Sequence, residues 1–364
     1  MRILLLGDYS GLHVNLSQGL RILGQDVTLA SGGDLWKDFE RDIDLKQPEK
    51  HKRSRFLWKL AKAYPRLRGY DVVQLIHPNP LATNPHFNSL FLELIKKSND
   101  HLFLGANGMD YYYCNYALQG NLKYSVFQVP QISHDPHIET LKRDTYNATI
   151  IKQNKSIAEY ADGITSCAVG YYQAYKEFFP DKTTHIPLPL NTDKYPYISN
   201  IQRDTKKIRF FLGKMKGREV RKGADIIENV LQRLHSQYPN EVSLNIVSSV
   251  PFKEYTKLLN SSHILCDQMY AYGIGMNGLI AQSKGLIAAG GADEEVYKLN
   301  HETENKPIID LNVTEQEMFH TFESLIANKH LLKEQAIHSR DYVVKHHNYI
   351  KVAQEYLDFW NSKI

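Results

Sequence analysis

The chain has 364 residues, of which 42% are hydrophobic and 23% charged, and its formal net charge is +4. This composition is typical of a folded protein with room for two domains, and it excludes an extended disordered chain. Three scattered cysteines argue against a disulfide framework or a zinc cluster and for a reducing compartment, so we expect a cytoplasmic protein. The opening apolar run is too short for a signal peptide, and no stretch approaches the ~20 apolar residues of a membrane span, so we expect neither. So small a net charge does not indicate nucleic acid.

The N-terminal segment predicts a βαβ unit. An apolar strand over residues 2–6 leads to a glycine-bearing turn, leucines then recur at helical spacing from Leu12 to Leu23, and a second strand covers residues 26–30. Such a unit begins a doubly wound parallel sheet, in which ligands bind beyond the carboxyl ends of the strands. The turn lacks the GxGxxG fingerprint of a dinucleotide site.

Residues 46–68 combine nine lysines and arginines with interleaved aromatic residues and leucines. We favour a solvated basic helix that packs by its apolar stripe. A helix that lies on an anionic membrane surface is the alternative, which would place the protein peripherally at the inner face of the membrane. Nucleic acid binding is a weaker third interpretation.

Polar residues follow the next two predicted strands, 71–76 and 101–104. His77 comes directly after the first, and Asn107 and Asp110 follow the second. The carboxyl ends of parallel strands meet at one edge of a sheet, so we expect these side chains to converge there.

The middle of the chain is less regular. Residues 111–150 are rich in tyrosine and predict no clear element, apart from a helix from about Asp144 to Tyr160. A strand over 163–166, a helix over 170–179 and a strand-like run over 184–190 follow. Residues 195–206 look like a linker, so we expect one domain over 1–198 and a second over 199–346.

The second domain predicts another α/β pattern. A strand over 208–212 leads to a turn with five cations, and a helix from about Ala224 to Tyr238 follows. The cations are Lys214, Lys216, Arg218, Arg221 and Lys222. Further strands are predicted over 242–247 and 263–266, with a helix over 252–259 between them.

The strand over 263–266 delivers a glycine-rich loop, Asp267 to Gly285, whose sequence is DQMYAYGIGMNGLIAQSKG. A glycine loop that feeds a helix N terminus favours anions, because its backbone N–H groups come close to the ligand and the helix dipole is positive there. A tight turn before a packed helix explains the glycines equally well. The basic turn favours the first interpretation, a diphosphate of a sugar nucleotide.

At this point the chain resembles the retaining nucleotide-sugar glycosyltransferases of family four, which have the GT-B fold. The resemblance rests on the opening MRILLLGDYSGLHVNLSQGL, the run IPLPLNTD over 186–193, the turn GKMKGREVRKG and the pair DQ before the glycine loop. It implies two Rossmann-like parallel-sheet domains that face a central cleft, with a C-terminal helix over about 347–364 that crosses back to the N-terminal domain.

The resemblance also implies the reaction: transfer of a sugar, with retention, to a hydroxyl of a glycan or lipid-linked acceptor, in the synthesis of bacterial surface polysaccharide. Cations on the protein would neutralise the leaving diphosphate, so no metal is expected. The residues implied in donor binding are Lys214, Arg218, Lys222, Asp267, Gln268, Gly273, Gly275, Asn277 and Gly278. Those implied in acceptor binding are Gly7, Asp8, Tyr9, Ser10 and His13. Lys214 and Lys222 would stabilise the leaving group, and Asp110 or His77 would orient or deprotonate the acceptor.

One departure leaves other functions open. The two glutamates of the family correspond to Tyr272 and Ile280, so the handling of the donor ribose is in question. A non-catalytic binding protein and a sugar-nucleotide epimerase on the same fold are the alternatives.

Overall fold

The computed structural model describes residues 1–34, 37–47, 53–129, 135–198, 206–217 and 219–364. The chain forms two compact units. The first contains Met1–Leu122, Pro136–Asn191 and Tyr349–Ile364, and the second contains Lys123–Asp135 and Thr192–Asn348. The sequence did not indicate that residues 123–135 group with the second unit.

The first unit is built on a parallel sheet with the order β3-β2-β1-β4-β5-β6-β7. Short apolar runs form these strands because both faces of the sheet are covered by helices. The strands are β1 (Arg2–Leu6), β2 (Asp26–Ser31), β3 (Ile43–Asp44), β4 (Val72–Leu75), β5 (His101–Gly105), β6 (Gly163–Ser166) and β7 (Thr183–His185).

Helices connect these strands and enclose the core of the unit. They are α1 (Leu12–Ile22), α2 (Arg53–Ala63), α3 (Pro85–Lys97), α4 (Tyr111–Leu118), α5 (Pro136–Thr145), α6 (Ala148–Tyr160) and α7 (Val169–Phe178). One side of the sheet buries Leu4, Leu6 and Leu75 against α2 and α3, and the other buries Ile3 and Leu5 against α1.

The C-terminal helix α14 (Tyr349–Asn361) returns to the first unit and packs along α1. Trp360 is fully buried there, and its indole N–H donates to the Gln74 side-chain oxygen at 3.1 Å. Gly19 of α1 makes the close approach possible, because a Cβ at this position would lie 2.2 Å from the Tyr349 carbonyl oxygen. The predicted return of the C-terminal helix to the N-terminal domain is confirmed.

The second unit contains a parallel sheet with the order β12-β11-β10-β8-β9. Its strands are β8 (Ile208–Lys214), β9 (Val242–Ser248), β10 (Ile264–Cys266), β11 (Ile287–Gly290) and β12 (Ile309–Asp310). Its helices are α8 (Ala224–Gln237), α9 (Phe252–Asn260), α10 (Met276–Ser283), α11 (Glu294–Leu299), α12 (Glu315–Ala327) and α13 (Leu332–His346). Phe210, Leu212 and Ile264 lie at the centre of its core.

Most of the predicted elements are present, and the exceptions have simple causes. The stretch 111–150 is largely helical, with α4, α5 and the start of α6 in it, because tyrosines pack there as core residues. The strand predicted over 184–190 ends at His185, since Pro187 and Pro189 have no N–H for a ladder. Among the helices within the described ranges, none combines the length and apolar character needed to cross a membrane.

Candidate functional site

The glycine-rich loop of the second unit is anchored by the aspartate that follows β10. Asp267 is buried, and its Oδ2 accepts the backbone N–H of Gly275 at 3.0 Å. Gly275 is the N-cap of α10, so the aspartate fixes where this helix begins. Gln268 makes a hydrogen bond within the loop: its side-chain N–H donates to the Gly273 carbonyl at 3.3 Å. The first turn of α10 itself contains no acidic residue, and the positive end of the helix dipole favours an anion beside it.

Two glycines and one asparagine beyond the loop hold it in place. A Cβ on Gly291 would lie 2.0 Å from the Ala271 carbonyl oxygen, and one on Gly290 would lie 2.7 Å from Ile274. Asn312 accepts the Tyr270 N–H at 2.7 Å and donates to the Ala271 carbonyl at 2.8 Å. Tyr270 has a positive φ of 58°, which Asn312 helps to maintain. Sequence reasoning missed these three residues; the pair Gly-Gly at the end of a buried strand was the available signal for the two glycines.

The basic turn meets this loop through Lys222. Its amino group lies 4.0 Å from Asp267 Oδ1, and its carbonyl accepts the Met269 N–H at 2.8 Å. The side chain of Lys222 is 45% exposed, so its charge is open to a ligand. Gly223 allows the approach, because a Cβ there would lie 2.6 Å from the Met269 sulfur.

The other cations of the turn are engaged differently. Lys214 forms an ion pair with Glu228 of α8 at 2.6 Å, and Arg221 binds both carboxylate oxygens of Asp135 at 2.7 and 2.8 Å. Both pairs are largely buried, with side-chain exposures of 15–23%. Lys216 is exposed, and Arg218 lies outside the described residues. Of the cations in the predicted turn, the structure therefore brings Lys222 to the glycine loop and holds Lys214 in an ion pair.

The positions of the two missing glutamates differ in their surroundings. Tyr272 is buried, and its hydroxyl accepts the backbone N–H of Lys123 at 2.8 Å while its ring meets the Tyr124 ring edge-on. The Lys123 amino group pairs with Asp293 at 2.7 Å. Ile280 is half-buried on α10, and Asn277, a predicted donor-binding residue, is exposed in the first turn of that helix.

In the first unit, the turn after β1 is held by Asp8. Its buried carboxylate accepts the backbone N–H groups of Gly11 at 3.0 Å, His13 at 2.8 Å and Val14 at 3.3 Å, which caps the start of α1. Burial raises the pKa of Asp8 to about 6. The ring of His13 is fully buried; its Nδ1 donates to the Gly7 carbonyl at 2.7 Å, and burial lowers its pKa to about 4. Asp8 and His13 therefore shape the turn.

The turn also meets the end of β2. The Ser10 N–H donates to Asp34 at 2.9 Å, and Lys37 binds the same carboxylate at 2.6 Å and the Ser10 hydroxyl at 3.1 Å. Ser10 is exposed and has a positive φ of 55°. The loops that follow β1 and β2 thus meet at one edge of the sheet.

His77, Tyr9 and Gly108 come together from three strand-end loops of the first unit. The rings of Tyr9 and His77 lie 5.7 Å apart, and a Cβ on Gly108 would lie 2.8 Å from the His77 ring. Nδ1 of His77 accepts the Asn79 N–H at 3.0 Å, and burial lowers the pKa of His77 to about 4. The ring is therefore neutral at pH 7, with its proton on Nε2.

The structure places Asp110 differently from His77. Its carboxylate caps α4 by accepting the Tyr113 N–H at 3.1 Å, and it accepts the Tyr175 hydroxyl at 2.5 Å. Burial raises the pKa of Asp110 to about 6 despite these hydrogen bonds. Asn107 also turns inward and accepts the Cys167 N–H at 3.3 Å.

In the part of the chain that the structure describes, no three His, Cys, Asp or Glu side chains come together in a group that could hold a metal ion.

Comparison with solved structures finds the same fold along the whole chain. The structure of HepE from Anabaena in complex with UDP-glucose matches with a TM-score of 0.61 and 11% identity over 100% of both chains. The catalytic domain of starch synthase IV from Arabidopsis thaliana, bound to ADP and acarbose, matches with a TM-score of 0.62 and 10% identity over 100% of this chain and 99% of that one. WaaG, a glycosyltransferase involved in lipopolysaccharide biosynthesis, matches with a TM-score of 0.55 and 14% identity over 97% and 98%.

At these identities the likeness shows the fold. The predicted GT-B architecture of two Rossmann-like parallel-sheet domains is confirmed, as is the resemblance in fold to retaining glycosyltransferases. No protein-family model matches the sequence, and no curated protein matches it.

Proposed function

We propose that this chain is a retaining glycosyltransferase that moves a sugar from a nucleotide-sugar donor to a hydroxyl of a glycan or lipid-linked acceptor. The observation that carries the proposal is in the second unit, where Lys222 lies 4.0 Å from the aspartate that anchors the glycine loop and the start of α10. A half-exposed cation beside a helix N terminus suits a diphosphate. The HepE and starch synthase structures with UDP-glucose and ADP support the same kind of donor.

The donor diphosphate contacts the first amides of α10 and the amino group of Lys222. Negative charge grows on the diphosphate as the sugar leaves, and these fixed groups stabilise it without reorganising. Lys214 pairs with Glu228 at 2.6 Å in the structure, and its contact with the diphosphate requires that a phosphate oxygen replace this carboxylate. Arg218 remains a predicted donor contact. This arrangement supplies positive charge from the protein, so the reaction needs no metal ion.

On the acceptor side we assign the positioning role to His77 rather than to Asp110. The neutral His77 ring carries its proton on Nε2 and donates it in a hydrogen bond to a substrate hydroxyl. Asp110 already accepts hydrogen bonds from Tyr113 and Tyr175 and is buried, so it is poorly placed to take a proton. Tyr9 and Ser10 complete the proposed acceptor contacts.

Thermal unfolding in the presence of UDP-, GDP-, ADP-, TDP- and CMP-sugars tests the donor assignment. A donor at ~100 times its dissociation constant adds about 2.7 kcal/mol of stability. We expect one nucleotide-sugar, together with its diphosphate, to raise the melting temperature of the wild type and to have a much smaller effect on Lys222→Ala. If no nucleotide-sugar raises it, the proposed donor site is wrong.

A binding protein without transferase activity is the second candidate. It is favoured by Tyr272 and Ile280, which stand where the related enzymes have glutamates, and by the Lys123 contact that occupies the Tyr272 hydroxyl. Donor hydrolysis over hours, measured as release of free sugar and diphosphate, separates the two. Slow hydrolysis that depends on Lys222 supports the transferase, and tight binding without release of sugar supports the binding protein.

The pathway and the location follow from the proposed acceptor. Surface polysaccharide synthesis in bacteria joins sugars from cytoplasmic donors to growing or lipid-linked chains, which agrees with the predicted cytoplasmic location.

A further inference from the structure

Helices α2 and α3 lie side by side on one face of the sheet in the first unit. The Phe56 and Phe87 rings are 6.5 Å apart near the start of both helices, and the Tyr64 hydroxyl is 2.7 Å from the Ser98 hydroxyl just after both end. Both helices bury one stripe in the same core cluster. Because the helices run parallel and adjacent, their outward stripes form one surface.

That surface carries large apolar side chains. On α2, Leu57 is 49% exposed and Trp58 is 61% exposed; on α3, Leu90 is 63% and Leu94 is 50% exposed. These four residues occupy outward positions of helices whose inward positions are already filled by apolar residues. An apolar patch that the protein's own core does not need marks an interaction site.

Positive charge lies beside the apolar patch, on α2 and the turn that follows it. Residues 53–68 contain six arginines and lysines and no acidic residue. Arg55, Lys62, Arg66 and Arg68 are exposed, and the Lys62 amino group lies 3.6 Å from the centre of the Trp58 ring. The acidic neighbours are balanced, since Asp44 pairs with Lys59 and Glu93 pairs with Lys97.

We propose that this two-helix surface, made of Leu57, Trp58, Leu90 and Leu94 with the cations Arg55, Lys62 and Arg66, docks on the face of an anionic lipid bilayer. The apolar side chains enter the boundary between headgroups and acyl chains, and the cations contact the lipid phosphates. A tryptophan with an adjacent lysine suits this boundary, because the ring is apolar and its edge is polar. The inference does not depend on the proposed transferase activity.

The observations favour a bilayer over two other partners. A nucleic acid would engage the cations, but it offers no apolar surface for Leu57, Leu90 and Leu94. A second copy of the chain would bring two strongly basic helices face to face, and like charges repel across an interface. An anionic bilayer satisfies both the charge and the apolar side chains.

Co-sedimentation of the full chain with vesicles tests the proposal. We expect binding to phosphatidylcholine vesicles that contain about 30 mol% of the anionic lipid phosphatidylglycerol. Vesicles of phosphatidylcholine alone should bind at least tenfold less protein, and added salt should weaken binding to the anionic vesicles. Trp58 fluorescence should shift to shorter wavelength on binding, and the shift should be absent from Trp58→Phe.

Surface variants separate the apolar and the electrostatic parts. Leu57→Ser/Leu90→Ser should weaken binding to anionic vesicles at least ~10-fold, because two half-exposed leucines no longer enter the boundary between headgroups and acyl chains. Lys62→Glu/Arg66→Glu should weaken binding to anionic vesicles at least ~100-fold. Each basic residue near an anionic surface contributes about a factor of five, and each reversal also adds a repulsion of similar size. All four positions are exposed, so the variants should keep the wild-type melting temperature.

Matched controls come from the second unit. Ile337 and Val344 are 40% and 41% exposed on α13, and Lys253 and Lys333 are exposed lysines. Ile337→Ser/Val344→Ser and Lys253→Glu/Lys333→Glu should bind anionic vesicles like the wild type. If they weaken binding as strongly as the α2 and α3 variants, the surface is assigned to the wrong place.

Three results would overturn the proposal. The first is no binding to anionic vesicles at low salt. The second is tighter binding to an oligonucleotide than to vesicles, unaffected by Leu57→Ser/Leu90→Ser, which assigns the surface to nucleic acid. The third is a dimer in analytical ultracentrifugation that Leu57→Ser/Leu90→Ser converts to a monomer, which assigns it to a second copy.

Discussion

His77 accepts a hydrogen bond at Nδ1 from the backbone N–H of Asn79, at 3.0 Å. This contact uses the lone pair that a general base needs and leaves the proton of the neutral ring on Nε2. The pKa of His77 is lowered to about 4 by burial, so the ring stays neutral through the physiological range. His77 is therefore a hydrogen-bond donor to substrate in the proposed reaction.

Two substitutions of His77 distinguish a hydrogen-bond donor from a general base. Glutamine places a side-chain N–H near the position of Nε2, so His77→Gln should keep turnover within ~10-fold of the wild type, whereas His77→Ala should lose on the order of 100-fold. Turnover measured with the donor found in the thermal screen checks this. Equal loss in both variants would indicate that His77 acts as a base.

Lys222 is the cation that the structure brings to the glycine loop. Lys222→Ala should lower kcat at least ~100-fold, the scale of one lost contact to a developing negative charge. Lys216→Ala is the matched control, because Lys216 belongs to the same turn and is exposed. The control should stay within ~3-fold of the wild type, as expected for a surface substitution. Near-wild-type turnover of Lys222→Ala contradicts the site assignment.

Asn312 positions the glycine-rich loop from outside it. Its side chain bonds the Tyr270 N–H and the Ala271 carbonyl, so Asn312→Ala should release both. We expect KM for the donor to rise ~10-fold, in line with the loss of about 1.5 kcal/mol of loop stabilisation, with a smaller change in kcat. Asn312→Asp tests the mechanism, because it can accept from Tyr270 but cannot donate to Ala271. An unchanged KM in both variants shows that the loop holds its shape by other contacts.

Short sequence patterns predicted the strands and the positions of the strand ends. Short apolar runs marked β1, β4, β5, β8 and β10, because buried parallel strands have no polar face. The same reasoning predicted that His77, Asn107 and Asp110 converge at one edge of the sheet, since the ends of parallel strands share it. In the structure His77 meets Tyr9 and Gly108 there. Asn107 and Asp110 instead accept hydrogen bonds from Cys167 and Tyr175.

The partners of the site residues were beyond sequence reasoning. Asn312 lies 42 residues from the Tyr270 that it holds, and Lys123 lies 149 residues from Tyr272. Such pairs depend on how the chain returns to itself, which no local pattern records. The Lys214–Glu228 pair is similar, because which side chain on α8 faces the strand depends on the packing of that helix.

The basic segment illustrates how helix phase decides a function. The sequence showed Phe56, Leu57, Trp58 and Leu60 as one apolar group within 46–68. In the structure Phe56 and Leu60 are buried while Leu57 and Trp58 are exposed, because successive residues of a helix are turned by ~100°. Packing by an apolar stripe, the interpretation that we favoured, thus agrees with the buried residues, and the exposed ones motivate the proposed membrane surface.

The contributions of His13 and Asp8 to the stability of the first unit change in opposite directions with pH. Neutral His13 is favoured in the fold, so its contribution to stability is present above pH 6.5 and is lost as the pH falls through about 4. The pKa of Asp8 is raised to about 6, so its contribution is present below pH 3.8 and is lost as the pH rises through about 6. The two effects partly cancel between pH 4 and pH 6.

Without a titrating His13, the pH dependence of the unfolding free energy should follow Asp8. Asparagine keeps an N–H near Nδ1 for the Gly7 carbonyl but does not titrate. On going from pH 7 to pH 4, His13→Asn should gain on the order of 3 kcal/mol of unfolding free energy relative to the wild type. Urea titrations at the two pH values check this. A difference between the two proteins that stays constant with pH would mean that His13 does not titrate as proposed.

The contact between α1 and α14 reverses the usual effect of a glycine in a helix. Alanine in place of glycine normally stabilises a helix by about 1 kcal/mol. In α1, however, a Cβ on Gly19 would lie 2.2 Å from the Tyr349 carbonyl oxygen and 2.8 Å from the Ala353 Cβ. Backbone and a short side chain cannot turn aside, so α14 would have to move away from the core that contains Trp360.

We therefore expect Gly19→Ala to destabilise the protein by about 2–3 kcal/mol, the upper range for overpacking a core. Ile22→Ala on the same helix is the control, because Ile22 is 57% exposed and its truncation should change the unfolding free energy by less than about 0.5 kcal/mol. Urea unfolding of the two variants measures the difference. A Gly19→Ala protein more stable than the wild type would show that α1 and α14 can separate at no cost, and the packing of the C-terminal helix would then be looser than the structure indicates.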